Sequence, residues 1–202
     1  MKIIPNTEFV EKTYDKTIAT IEKEIGTARG VKGLIEELGN RYALAPASSR
    51  KIYYSSFPGG LAFHNLHMHF WMKKLVRDLG ILKEINDTSV AVVSFLHELG
   101  KVGDRNQDYY IPQESKWHMD NGIFYEINPD LQYMRTPHRS VWLAQDFGIR
   151  LTQDEYLAIM LYETKEEEVP YKYKMPALAR VTQMAYQWST QAEKKNEILW
   201  PG

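Results

Sequence analysis

The chain has 202 residues, 44% of them hydrophobic and 25% charged, enough to bury a core without disulfides or structural metals. Its formal net charge of −1 supplies no overall field toward nucleic acid or anionic lipid. With no cysteine, disulfides, thiolate zinc sites and cysteine nucleophiles are all excluded, so any bound metal must use imidazole nitrogen and carboxylate oxygen.

The opening Met1–Asn6 holds too short an apolar run for a signal peptide, and no stretch reaches the length of a bilayer span. A cytoplasmic protein without membrane contact is therefore expected. The reading is of one domain over 1–202, with N-terminal helices over 6–40 and a core over 50–190.

Helical spacing of Phe9, Val10, Tyr14, Ile18 and Ile21 predicts a first helix from Asn6 to about Ile25, capped by Thr7. A shorter helix follows over Val31–Leu38 and stops at Gly39-Asn40, and Ala43–Ser56 reads as an ordered loop. From Leu61 to Leu79 the residues Leu61, His64, Met68, Met72, Leu75 and Leu79 share one helical face, and Gly80 ends the helix. Ser89–Leu99 is apolar nearly all round, as a central helix packed on every side would be. Asp104–Asn121 is loop-like, and Phe124–Met134 suits a short β-hairpin turning at Asn128-Pro129-Asp130. Three more helices are predicted over Pro137–Phe147, Thr152–Glu163 and Pro176–Lys195, with Thr152 and Glu155 forming a capping box. The run Glu166-Glu167-Glu168 reads as a solvated loop. Helices dominate, so the expected class is all-α.

The histidines carry the chemistry. His64 lies in an apolar stripe and His97 near the end of the most apolar helix, followed directly by Glu98. A lone histidine on an apolar face is ordinarily a satisfied core residue. Two of them, with a carboxylate that needs a strong partner inside the core, make a metal site an equal reading. His67 shares the face of His64 and can support it, whereas His69 points away. The string His97-Glu98-Leu99-Gly100-Lys101 lacks the second histidine four residues on that a zinc-protease helix requires; Lys101 stands there instead.

The segments Pro58-Gly59-Gly60-Leu61-Ala62-Phe63-His64 and Phe95-Leu96-His97-Glu98-Leu99-Gly100-Lys101 resemble the HD superfamily of helical metal-dependent phosphohydrolases. So do Tyr133–Ser140, Phe147-Gly148-Ile149 and Leu151-Thr152. The similarity runs from about Arg50 to Gln187 and is strongest to the small stand-alone members found in bacteriophages. It implies an HD-like helical bundle holding one divalent metal (Mn, Fe, Co, Mg or Zn) and hydrolysing a nucleotide or related phosphate ester.

In that resemblance His64, His97 and Glu98 are metal ligands, with His138 and Gln183 as further candidates. Glu98 replaces the family's aspartate, Gln183 stands where its last aspartate falls, and Tyr162 where two-metal members have a histidine. Two metals, and with them two-iron oxygenase chemistry, are therefore not expected. Glu98, Lys101 and Asp104 are candidate catalytic groups. Lys101 equally suits a terminal lysine facing the helix dipole, and Asp104 an acid or a support for the ligands. Arg50, Trp117 and His118 are candidate substrate contacts, with Trp117 or Tyr110 placed to stack on a base; each also suits an ordinary surface or packed loop. The expected partner is a small-molecule nucleotide or phosphate ester, with further copies of the chain allowed. The altered positions also fit a catalytically silent relative that binds a nucleotide or a protein.

Overall fold

The computed structural model describes residues 2–81, 83–164 and 174–199; the Glu166–Glu168 run lies outside them. Eight α-helices dominate these residues: α1 (Thr7–Glu24), α2 (Val31–Leu44), α3 (Gly60–Asp78), α4 (Asp87–Leu96), α5 (Lys116–Asp120), α6 (Thr136–Asp146), α7 (Gln153–Leu161) and α8 (Ala177–Lys194). Four short strands complete the order: β1 (Lys2–Ile3), β2 (Tyr110–Pro112), β3 (Tyr125–Ile127) and β4 (Glu197–Ile198). The protein is mostly helical, and none of the described helices is long and apolar enough to cross a membrane.

Several helix ends differ from the sequence reading for reasons of local hydrogen bonding. Asn6, not Thr7, caps α1, its side chain accepting from the Phe9 amide. The expected stop at Gly39 is a kink: Gly39 takes φ 49°, ψ −124°, and helical backbone resumes as far as Leu44. The hairpin expected within Phe124–Met134 is corrected. β3 pairs antiparallel with β2, which precedes it across α5, with Tyr110 opposite Ile127 and Pro112 opposite Tyr125. The residues beyond the Asn128-Pro129-Asp130 turn form no strand. A second, parallel pair of β1 and β4 joins the two ends of the described chain.

Helix α4 is the axis of the core. Every residue from Ser89 to Leu96 is buried, as its unbroken apolarity requires, and α1, α3, α6, α7 and α8 pack around it. One continuous cluster links Ile21, Leu34, Leu61, Met68, Met72, Val93, Leu96, Leu143, Ile159 and Val181. Two glycines set the approach distances that matter for the site. A Cβ on Gly60 would lie 2.0 Å from the Ser55 carbonyl oxygen, so only glycine lets the 45–58 loop fold against the first turn of α3. A Cβ on Gly100 would lie 2.4 Å from the Thr136 carbonyl oxygen, so the 3-10 helix over Leu99–Val102 can lie directly against α6.

A buried carboxylate, Glu155, ties three elements together. It accepts from Arg29 Nη2 at 2.7 Å, from Ser89 Oγ at 2.9 Å and from the Thr152 amide at 2.9 Å. Burial alone would raise its pKa, but the Arg29 guanidinium, the Thr152 amide and the Ser89 hydroxyl outweigh burial and hold the carboxyl below its ordinary range. Its stabilisation is therefore complete above the ordinary carboxylate pKa and is lost as pH falls through the depressed folded value. Glu155→Ala should cost about 2–3 kcal/mol by loss of charge-assisted hydrogen bonds, measured by urea unfolding at neutral pH. The same variant should show a shallower loss of stability on acidification than the parent; identical acid limbs would refute the assignment.

Candidate metal centre

His64, His97 and Glu98 meet in the interior, each fully buried, with one potential ligand atom from each lying within 4.8 Å of the others. His64 comes from the second turn of α3. His97 caps α4, and Glu98 lies just beyond the helix at φ −111°, ψ 14°, which turns its side chain back toward the cluster. The Nε2 atoms of His64 and His97 are 3.3 Å apart, and His64 Nε2 stands 3.7 Å from Glu98 Oε2.

The partners of the other imidazole nitrogens decide what these atoms can do. His97 Nδ1 lies 3.0 Å from the Ser94 carbonyl oxygen, which can only accept, so Nδ1 carries the proton and Nε2 a lone pair. His64 Nδ1 lies 2.9 Å from Glu193 Oε1 and must likewise donate. Glu193 also faces His67 Nδ1 at 3.2 Å and accepts from Ser55 Oγ at 2.5 Å. Burial works to raise the Glu193 pKa, but His64 and His67 prevail and bring it down to about 2. Burial pushes the His97 imidazole down to about 3, so it is neutral at ordinary pH.

Glu98 is divided between two environments. Its Oε1 accepts from Tyr54 Oη at 2.5 Å and Lys101 Nζ at 2.7 Å, with Tyr162 Oη at 3.4 Å. Its Oε2 is buried with no hydrogen-bond partner. Burial would raise this carboxyl too, but Lys101, then His64 and His97, hold it below the ordinary range. Two imidazole nitrogens and one carboxylate oxygen thus present acceptor lone pairs to one buried point. An unsatisfied buried acceptor such as Glu98 Oε2 costs about 1–3 kcal/mol, and a cation held by the three atoms would satisfy it. Two nitrogens on a tetrahedral ion with bonds of about 2.0–2.1 Å would stand about 3.3 Å apart. The donor set and its spacing fit a divalent metal.

Aromatic rings close the point off. Tyr54 lies over His64 with ring centroids 4.7 Å apart, and Tyr162 meets His97 edge-on at 5.1 Å. One polar track leads outward: Tyr54 Oη is 3.0 Å from Tyr186 Oη, and Tyr186 donates to the exposed Glu163 at 3.0 Å.

Of the residues singled out in the sequence, the structure brings together His64, His97, Glu98 and Lys101, with His67 on the far side of Glu193. Lys101 is not a solvated helix-end lysine: it is 8% exposed, and its three donors go to Glu98, Tyr54 Oη and the Ala47 carbonyl. Two expected ligands do not join the cluster. His138 is exposed, on the side of α6 opposite the buried Ser140 and Leu143. Gln183 spends its amide nitrogen on the carbonyls of Leu161 and Thr164, fastening the end of α7 to α8.

The catalytic role considered for Asp104 gives way to a structural one, since its carboxylate accepts the Asn106 and Gln107 amides in a local turn. Arg50 is exposed and bridges to Ile123 through its backbone. Trp117, 68% exposed, meets His118 edge-on, and neither stands at the cluster.

Sequence reasoning missed Glu193, Tyr54, Ser55 and Tyr186. Glu193 left one signal: it falls on the stripe of Thr182, Ala185 and Ser189 along the buried face of α8, where a carboxylate needs a partner. Tyr54 and Ser55 sit in an irregular loop with no periodicity to read. The hydrogen-bond pattern fixes both imidazoles as Nδ1–H donors. Two-bond ¹H–¹⁵N spectra at neutral pH should show the Nδ1 proton on His64 and His97, and the Glu193→Gln variant should alter the His64 and His67 patterns and leave that of His97 unchanged. No protein-family model matches the chain, and neither a curated protein nor a solved structure matches it.

Proposed function

We propose that the chain is a single-metal phosphohydrolase of the HD type, acting on a nucleotide or a related phosphate ester. The observation that carries the reading is the convergence of His64 Nε2, His97 Nε2 and the unpartnered Glu98 Oε2. These three residues would hold the ion, and Ser94 and Glu193 would keep the imidazoles turned toward it. A divalent ion bound there would supply Lewis acidity and an acidified water near neutral pH.

The protein's own groups supply what a phosphate ester further needs. Arg139 is 3% exposed, its Nε has no partner, and among the described residues no carboxylate lies within ion-pair distance of it. It opens on a cavity of ≈ 460 Å³ that Tyr109, Arg135 and Glu163 also line. A guanidinium with unspent donors suits an anionic oxygen. Glu163 joins this cavity to Glu98 through Tyr186 and Tyr54, each phenol donating to one of the two carboxylates.

A second reading rests on Lys101. Its ammonium already neutralises Glu98 Oε1, and a proton shared by the two Nε2 atoms would complete the cluster without metal, as in a silent binding protein.

Metal analysis and titration of the purified protein separate the two. Under the hydrolase reading one Mn, Fe, Co or Zn ion binds per chain, and phosphate is released from members of a nucleotide panel. His97→Ala should abolish both, and Glu193→Gln should weaken metal binding about 10–100-fold. Arg139→Ala should raise KM for the phosphate ester while leaving the metal stoichiometry at one. A chain that binds no metal, and releases no more phosphate than His97→Ala does, is the silent protein.

A further inference from the structure

A cavity of ≈ 700 Å³ lies on the other side of Lys101, between the end of α2, the 45–58 loop and the β2–α5–β3 insertion. Its walls are mostly apolar, from Leu44, Pro46, Val102, Pro112 and Met119, with the rings of Tyr110 and Tyr125. Two cations, Arg41 and Lys101, border it, and a census of their donors excludes both from ligand recognition.

Arg41 has five N–H groups. Nε donates to Asp108 Oδ1 at 2.6 Å, Nη1 to the Asp104 and Arg105 carbonyls, and Nη2 to the Val102 and Gln107 carbonyls. Lys101 has three, and all go to Ala47, Tyr54 and Glu98. Every cationic donor at the cavity is spent, and each cation has its own carboxylate, Asp108 for Arg41 and Glu98 for Lys101. An anion placed there would lose its water and gain no cationic donor in return.

The free polar groups are neutral. Burial raises the pKa of both Tyr110 and Tyr125, keeping the phenols protonated. A cavity in the size range of small-molecule sites, apolar with a few neutral hydrogen-bonding groups, is matched by an uncharged ligand with an apolar ring body.

We infer that this cavity is a binding site for an uncharged, largely apolar small molecule carrying a hydrogen-bond acceptor, separate from the phosphate-ester site. It depends on no metal, so it stands or falls apart from the hydrolase reading.

The test uses two probes that share one ring system: N-phenyl-1-naphthylamine, which is uncharged, and its 8-sulfonate, which is an anion. The neutral probe should bind the intact chain saturably at one site, at least about tenfold more tightly than the sulfonate, a difference near 1.4 kcal/mol. Its affinity should be unchanged by a chelator. Leu44→Trp and Met119→Trp, which add bulk at exposed positions of the rim and leave the core intact, should each weaken it about tenfold or more. Their thermal unfolding midpoints serve as the check on folding. Equal or tighter binding of the sulfonate overturns the inference, as does a neutral probe whose binding is unsaturable or indifferent to both tryptophan variants. Loss of probe binding on chelation overturns the separation of the two sites.

Discussion

Three acceptor atoms from two helix ends are aimed at one dry point, and the surrounding structure keeps them there. Left to themselves, His64 Nε2, His97 Nε2 and Glu98 Oε2 would turn away or take up a hydrogen bond. They are prevented because the opposite side of each group is already held: His64 by Glu193, His97 by the Ser94 carbonyl, Glu98 by Tyr54 and Lys101. A cation bound among the three atoms would satisfy them together. Its cost is set against the continuous apolar burial around α4, the helix that carries His97 and leads into Glu98.

The supporting groups come from regions far apart in the chain, which makes the site a product of the whole fold. Glu193 is near the end of α8, Ser55 and Tyr54 in the loop before α3, and Ser140 in α6. Ser140 accepts from the Gly100 amide and donates to the His97 carbonyl, locking the turn in which Glu98 leaves the helix. Gly60 and Gly100 matter for the same reason: each admits a neighbouring backbone that a methyl group would displace, and each displacement would move a group touching the cluster. A change at either glycine should act on the centre through position, without removing any atom from it.

The sequence made the long helices readable because α1, α3 and α8 bury one stripe each, and α4 is apolar throughout. It made His64, His97 and Glu98 readable for a related reason: polar residues embedded in apolar periodicity stand out against it. What it could not supply were pairings between distant segments. The turn at Asn128-Pro129-Asp130 is a local signal, and it suggested a local hairpin, whereas β3 has its partner on the far side of α5. The burial of Lys101 was out of reach for the mirror-image reason. At a helix end, solvation is the ordinary expectation for lysine, and only the fold shows the 45–58 loop covering it and supplying the Ala47 carbonyl and the Tyr54 hydroxyl. Tyr162 and Gln183 each have a structural role of their own. Tyr162 occupies the neighbourhood of the cluster as a wall and a weak donor to Glu98, and Gln183 serves the backbone.

Charge accounts for the form of the centre. Two buried carboxylates, Glu98 and Glu193, are both held ionised, while among the described buried groups of the cluster Lys101 is the one permanent cation and His97 is neutral. The interior is therefore short of one positive charge, and the deficit falls where His64 faces both His97 and Glu98. A proton shared within the cluster meets it minimally. A divalent ion meets it with one charge to spare, and that surplus would favour an anionic oxygen arriving nearby. Arg139, whose Nη2 donates to the Gln132 carbonyl and whose Nε has no partner, adds to the same preference, whereas the large cavity beyond Lys101 has no cation left to offer. The distribution of spent and unspent donors thus divides the molecule into a side suited to anions and a side suited to neutral groups, with the Lys101–Glu98 pair as the boundary between them.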